Sequence, residues 1–477
     1  MNRVFVFVKV LVVMVVVLQS SCGNVQKNSS EQSQKTTKEI SEDSLLTLVQ
    51  YRTFQYFWEG AEPNSGLARE RIHMDGNYPK NDMHIVTTGG SGFGLMTILV
   101  GIERGFITRE EGLQRFIKAV DFLEKADRFH GAWPHWLDGE TGKVKPFSTY
   151  DDGGDLVETA FLVQGLLAVK NYYKDGNAEE RALAQKIDRL WREVEWNWYT
   201  RGENILYWHW SPNHGWKMNF GVKGYNECLI MYVLAASSPT YAVDAAVYHE
   251  GWARGGDIAK SQTTFGYELP LNHQVDPYKG GPLFWAHYSY LGLDPRGLTD
   301  RYADYWKHNV AHTMINRQHC INNPFEYKGY GENAWGLTSS YSVPGAKDYY
   351  KGKTEEVPQK GNSANAEYAA HCPSLDLGVI APTAALSSIP YAPDAVMPVL
   401  RHFYEDLGEK IWGVYGFYDA FSEEYEWYPK RYLAIDQGPI TVMIENYRTA
   451  LLWNLFMQDV DVQNGLRKLG FSSPHLD

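Results

Sequence analysis

From Ser44 onward two kinds of apolar pattern take turns along the chain. One repeats at helical spacing on a single face and leaves the other face charged: Ser44–Phe57, Arg109–Lys125, Ala178–Glu195, Ala242–Arg254, Asp300–Asn316 and Pro393–Leu407. The other is apolar nearly all round, as expected of helices buried on every side: Gly92–Ile102, Leu156–Val169, Cys228–Ala236, Pro282–Leu291, Leu375–Ile389 and Ile440–Phe456. The two sets alternate strictly, six of each. An inner ring of helices inside an outer ring fits this order better than a solenoid, which would not require six fully buried helices. The predicted fold is therefore all-α, an (α/α)6 barrel. Outside the first residues there are no Val- and Ile-rich runs long enough for a parallel sheet.

Each wholly apolar segment follows a polar loop, usually with glycine: Thr87–Ser91, Tyr150–Gly154, Gly221–Asn226, Asp276–Gly281, His371–Ser374 and Asp436–Gly438. If the inner helices run parallel, these loops meet at one mouth, together with free backbone N–H groups and positive helix ends that welcome carboxylates and hydroxyls. The stretch His319–Asn365 lacks helical periodicity and is dense in Tyr, Gly and Asn. Long loops of this kind in compact domains are usually functional.

Composition narrows the ligand. Against 45 basic residues stand 57 acidic ones, a formal charge of −12 with no basic block, which argues against nucleic acid and anionic lipid as partners. Aromatic residues make up 14%, and many sit beside Gly, Asn and His instead of inside apolar runs. Trp216, Tyr330, Trp335 and Tyr418 are so placed, and such rings suit stacking against the C–H faces of sugars, although a large domain also uses Trp and Tyr as core filler.

The N-terminus reads as a targeting signal: Asn2-Arg3, a short apolar core Val10–Leu18, and Leu18-Gln19-Ser20-Ser21-Cys22, which resembles a bacterial lipobox ending at Cys22. Gln19 stands where the usual leucine would be. The expectation is a signal over 1–22, a polar tether over 23–43, a catalytic domain over 44–465 and a tail over 466–477. It implies a lipoprotein anchored through Cys22, periplasmic or tethered to the outer membrane of a Gram-negative cell. The remaining Cys228, Cys320 and Cys372 are odd in number and widely spaced, so neither a disulfide framework nor a zinc site is indicated.

Candidate chemistry lies at the loop-to-helix junctions. Asp151, Asp155 and Glu158 stand at i, i+4 and i+7, within about 60° on a helix. Helix capping accounts for acids at the start of the segment but not for Glu158, which lies deeper. Glu227 opens the most uniformly apolar helix, so its carboxyl should project into the mouth, where burial raises its pKa and prepares it as an acid. Asp419 lies in a Gly- and aromatic-rich loop and equally suits an Asx turn. Glu445, inside the last apolar helix, is expected to pair with Arg448. No Gly-x-Ser-x-Gly or phosphate-loop pattern occurs, and the one pair at His-x-x-x-His spacing, His308 and His312, has no glutamate after its first histidine, so no metal or other cofactor is expected.

Three segments, Thr149–Glu158, Gly224–Cys228 and Gly416–Phe421, resemble signatures of the glucoamylase-like domain of bacterial glycan degraders, and in particular glycoside hydrolase family 144, the endo-β-1,2-glucanases. The resemblance covers roughly 44–465. It implies the (α/α)6 barrel and endo-hydrolysis of β-1,2-glucan to short sophorooligosaccharides, with inversion, by a monomer without cofactor. It further implies Glu227 as proton donor. Asp151, Asp155 and Glu158 match acids of the family's site, and Asp419 is matched by its motif to the base. Because three acids on one helix face lie close together, the triad is expected to position substrate or water, leaving Glu227 and Asp419 as the catalytic pair. Two alternatives remain at this point: the same fold acting on another glucan linkage, and a non-catalytic glycan-binding lipoprotein.

Overall fold

The computed structural model describes residues 40–76, 83–272 and 279–476. The expected signal, the lipid-bearing Cys22 and the tether up to residue 39 lie outside them, whereas Glu42 and Asp43, at the end of the expected tether, already belong to the first helix. From Glu42 to Asp477 the chain forms one unit, and two rings of helices organise it.

The inner ring is built from α2 (Thr88–Glu103), α4 (Leu156–Tyr173), α6 (Leu229–Ser237), two 3-10 turns at Leu283–Ala286 and Tyr288–Leu291, α9 (Pro382–Leu386) and α12 (Ala434–Thr449). Helix α2 packs between α12 and α4, α4 meets α6, and α6 meets the second turn. Side chains close the ring: the Tyr391 hydroxyl donates to the Ala286 carbonyl at 2.8 Å and the Thr383 hydroxyl to the Asp436 carbonyl at 2.7 Å. Outside it run α1 (Glu42–Trp58), α3 (Arg109–Lys125), α5 (Ala178–Arg192), a π-helical segment at Val247–Trp252, α7 (Tyr305–Asn322) and α10 (Pro393–Arg401), each against the inner element that the alternation pairs it with. Short helices α8 (Ala346–Tyr350) and α11 (Gly408–Ile411) sit in the connections, and α13 (Leu451–Met457) and α14 (Val460–Leu469) complete the chain.

Local chemistry sets the ends of these helices. Thr108 with Glu111 and Asn177 with Glu180 form capping boxes on α3 and α5. Helices α2 and α4 come together through glycine: a Cβ on Gly92 would stand 2.2 Å from the Phe161 carbonyl oxygen, and one on Gly165 2.2 Å from that of Gly92. This backbone-to-backbone contact fixes the position of one inner helix against the next.

Three elements depart from the sequence expectation. The 282–291 segment breaks into two 3-10 turns at His287, and only one helical turn of 375–389 forms, beginning at Pro382. The last apolar segment is cut at Ala450, whose φ of 59° is left-handed, and the Asn446 side chain takes up the N–H groups of Leu452 and Trp453. The expected tail over 466–477 begins inside a helix: α14, capped by Asp459 and ended by left-handed Gly470, packs on α6, and Phe471 is buried beyond it. Glu445 is structural as expected but has a different partner, because Arg104 of α2 grips it through two bonds of 2.7 and 2.8 Å while Arg448 reaches Asp43 and Gln50.

Candidate active site

Short antiparallel pairs tie the junctions together where the inner helices begin. Thr87 faces Trp136, Asp155 faces His209, Arg71 faces Leu433 and Tyr341 faces Tyr368. They enclose a cavity of about 470 Å3, a size suited to a small ligand or a stretch of oligosaccharide. Thr87, Glu158, Glu227, Phe284 and Ile435 line it from the starts of five inner elements, and Ser339, Tyr341 and Tyr368 line it from the hairpin that precedes α9. The common mouth expected from the loops is therefore present; of its loops, 276–278 lie outside the described residues.

Glu227 lies two residues before α6 and is buried at the cavity wall. Its carboxyl is pushed up to about 7, chiefly by burial, with the negative Glu158 adding to the push. Near neutrality it is partly protonated, the state required of a proton donor. Glu158 also reaches the cavity, accepts the Gly89 N–H at 2.8 Å, and is likewise raised to about 7 by burial, against the lowering effect of His135.

Asp151 and Asp155 do not share a helix face with Glu158. Helix α4 starts at Leu156, and Asp155 itself is the N-cap, its Oδ1 accepting the N–H groups of Val157 and Glu158 at 3.0 and 2.9 Å. What unites the three acids is His135. Its Nδ1 stands 3.0 Å from Asp155 and 3.4 Å from Asp151, its Nε2 4.0 Å from Glu158, and Phe147 stacks on the ring at 4.0 Å. Burial opposes a charge on this imidazole, but the three carboxylates prevail and hold its pKa well above the usual value. Asp151 is lowered in return, because its hydrogen bonds to His135 and His209 outweigh burial. Trp208 donates to the remaining Asp155 oxygen at 3.0 Å. Asp155 thus engages both oxygens with the protein and Asp151 one oxygen with His135 and His209, so both brace the wall, while Glu158 is the member that lines the cavity. His135, Asp151 and Asp155 also bring ligand atoms within 4.8 Å of one another, a set able to hold a metal ion. A protonated Nδ1 shared between both carboxylates, however, offers no lone pair.

Asp419 lies behind the cavity, 2% exposed. Its Oδ2 accepts the Tyr341 N–H at 2.7 Å and its carboxyl bonds to that of Asp436, which also accepts from the Tyr288 hydroxyl at 3.2 Å. Burial lifts Asp419 to about 6 and, together with the charge of Asp419, holds Asp436 well above the usual carboxylate range. Two acids forced together in this way share a proton. The aromatic candidates also lie away from the cavity lining. Trp335 is wholly buried, Tyr330 donates to Asp376 at 2.8 Å, Tyr418 packs on Tyr432, and Trp216 lies beside Trp198 in a separate surface hollow. The rings that do line the cavity are Trp136, Phe147, Phe161, Trp208, Phe284, Tyr288, Tyr341 and Tyr368.

Sequence reasoning passed over Glu70 and His135. Both sit beside short strands with no helical period, although Ala132-Trp133-Pro134-His135-Trp136 carries the polar-aromatic mixture sought elsewhere. Glu70 lines the cavity in an ion pair with Arg71, and its carbonyl receives the Ala434 N–H at 3.0 Å. It is thereby fixed at the start of α12, across the ring from α6 and Glu227.

Residues 219–460 match the family model Glycoamylase, described as putative glucoamylase. The chain belongs to this family. Among solved glycoamylase relatives, it is 61% identical to an endo-beta-1,2-glucanase from Chitinophaga pinensis in complex with sophorotriose and glucose, covering 92% of this chain and 100% of that one with a TM-score of 0.86. A putative glucoamylase from Bacteroides caccae is 60% identical over 91% of this chain and 100% of its own, with a TM-score of 0.85. A curated relative, the exo beta-1,2-glucooligosaccharide sophorohydrolase (non-reducing end) of Parabacteroides distasonis, is 45% identical over 460 residues, which is 93% of this glycoamylase chain and 60% of the relative's length. The fold agrees with that of the solved relatives, and the Chitinophaga pinensis protein carries the endo-β-1,2-glucanase name that the resemblance to glycoside hydrolase family 144 implies, whereas the Parabacteroides distasonis protein is named for exo action and the Bacteroides caccae protein only as a putative glucoamylase.

Proposed function

We propose that this protein is an endo-acting glycoside hydrolase that cuts β-1,2-glucan into short sophorooligosaccharides. The observation that carries the reading is a raised, buried carboxyl, Glu227, at the wall of an aromatic cavity that a second acid, Glu70, also lines. The Chitinophaga pinensis relative, matched over its full length, is named for the same endo activity.

In the proposed reaction Glu227 protonates the departing glycosidic oxygen. Glu70 stands on the opposite side and takes the proton from the attacking water, so that the anomeric centre inverts. Such a pair works across about 6.5–9.5 Å, with room for the water. Asp419 moves from base to support, since its oxygens are engaged by Tyr341 and Asp436 behind the wall. Glu158, fixed by the Gly89 N–H, orients substrate hydroxyls or water. Reducing ends released from linear β-1,2-glucan test the activity, and proton NMR of the newborn anomer tests inversion. No release from this polymer, with release from another glucan in a panel, would transfer the reading to that linkage.

The same reading takes the chain to be a periplasmic lipoprotein attached through Cys22, on the strength of the lipobox-like stretch ending there. Fatty-acid labelling of the full chain, lost in Cys22→Ala, is the expected result.

A further inference from the structure

A second hollow, of about 690 Å3, opens on the outer surface between Trp198, Trp216, Arg201 and Tyr241. Trp198 is 40% exposed there, although Trp133, Trp191 and Trp196 nearby in the sequence are fully buried. One exposed indole is ordinary; a braced one is less so. His130 stacks on Trp198 with ring centres 3.8 Å apart and planes within 17°, and Glu195 holds His130 at 3.1 Å. Trp210 meets Trp198 edge-on at 6.4 Å, and Trp216 lies 6.3 Å away. The indole is therefore held rigid from beneath and the side while its surface stays open.

The rim is polar and charge-balanced. Asn197 makes no side-chain hydrogen bond among the described residues, and Arg201, lying over the Tyr207 and Trp216 rings, balances Glu195. A phosphorylated or nucleic-acid ligand would find no excess of positive charge here. A flat aromatic floor with amide and guanidinium groups at its edge suits a neutral sugar ring, apolar on its faces and hydroxylated around them.

Position adds the second argument. Trp208, which lines the barrel cavity, is two residues from Trp210 in one extended run paired with Gly154–Asp155. Those two positions are about 7 Å apart along the strand, and Trp198 is the next ring outward. On the proposed function, a glucan leaving the cavity past Trp208 would run toward Trp198, whose ring meets that of Trp210 at 6.4 Å.

We infer that the Trp198 hollow is an accessory binding site for the glucan chain whose cleavage occurs in the barrel, holding the polymer outside the cavity. This inference rests on the proposed function. The test uses two variants at exposed positions, Trp198→Ala and Tyr241→Ala, in the full chain. Placed in a Glu227→Gln background that leaves the polymer uncut, each should weaken native-gel retardation by long linear β-1,2-glucan about fivefold. In the otherwise wild-type chain, kcat/KM on long polymer should fall, while kcat/KM on sophorotetraose, too short to span both sites, should stay within about twofold. Unchanged retardation in both variants of a chain that cuts β-1,2-glucan overturns the accessory site and leaves the proposed function standing. A chain that neither cuts nor binds β-1,2-glucan, yet is retarded by another glucan in a Trp198-dependent way, overturns the linkage and keeps the site. Retardation by no glucan overturns the site outright.

Discussion

Glu227→Gln should produce two effects of opposite sign. The group's carboxyl is raised from an ordinary 4.5 to about 7, mainly by burial. At pH 7 about half of the molecules then carry the proton, against roughly one in 300 for an unperturbed glutamic acid. Glutamine keeps the shape and loses the transferable proton, so kcat on linear β-1,2-glucan should fall by about 10²–10⁴-fold. Stability should move the other way. A folded-state pKa above the unfolded value contributes stability fully below about pH 4.5, and that contribution disappears as pH rises through about 7. The shift is equivalent to about 3 kcal/mol at most. At pH 8 the wild-type protein carries a buried carboxylate that the variant lacks. The melting temperature of Glu227→Gln relative to wild type should therefore rise by about 3 °C between pH 5 and pH 8 in a domain of this size. Reducing-end release across pH 4–9 and differential scanning fluorimetry at the two pH values measure both effects. A variant within about tenfold of wild-type turnover, or a wild-type basic limb below about pH 5.5, would refute the assignment of the acid. A melting difference that does not change with pH would refute the burial argument itself.

The neighbouring groups give further expectations. Glu158→Gln removes a negative charge that pushes Glu227 up, so the basic limb of the pH–rate profile should move to lower pH. Asp155→Ala removes the α4 cap together with bonds to His135 and Trp208 and should lower stability by about 2–4 kcal/mol, whereas Asp155→Asn, which can still cap, should cost less; urea unfolding compares them. Asp436→Asn replaces the shared proton of the Asp419 pair with an amide donor. Since both pKa values are raised, the pair loses stability as pH rises through about 6, and the variant should melt higher than wild type at pH 8 but not at pH 4. Gly165→Ala sets a Cβ 2.2 Å from the Gly92 carbonyl oxygen and should destabilise by about 3 kcal/mol or more, or yield no soluble protein.

The barrel was legible in the sequence because burial on all sides and burial on one side leave different patterns, and twelve segments repeat that contrast in order. The pattern reports burial, however, and not backbone geometry. It therefore read 282–291 and 375–389 as full helices, where His287 and Pro382 interrupt them. The α14 helix was readable from Asp459 before it and Gly470 after it, signals at least as clear as those used elsewhere. In the candidate site, Glu227 and Glu158 stood out because a carboxylate in an apolar helix is costly. Asp155 was placed correctly at a junction, but only its cap hydrogen bonds and its contact with His135 show that it serves the wall. Glu70 could not be found this way, since it becomes part of the cavity through long-range pairing of Arg71–His73 with Arg431–Leu433. Asp419 illustrates the converse: a conspicuous motif whose side chain turns inward to another acid.

The hairpin Ser339–Ser342 with Glu367–Ala370 supplies one wall of the cavity through Ser339, Tyr341 and Tyr368, yet it belongs to neither ring of helices. Its two strands are joined by residues 343–366, an excursion that packs on Leu377, Val379 and Trp427. The acid is anchored at the start of a barrel helix, whereas this wall hangs from a surface loop. Lengthening or shortening the excursion would therefore reshape that wall of the cavity while leaving Glu227 in place. A groove open at both ends admits the middle of a polymer, and one blocked at an end admits only a chain terminus. On the proposed function, the choice between internal and terminal cutting becomes a matter of loop length, separable by evolution or by design from the chemistry of the cut.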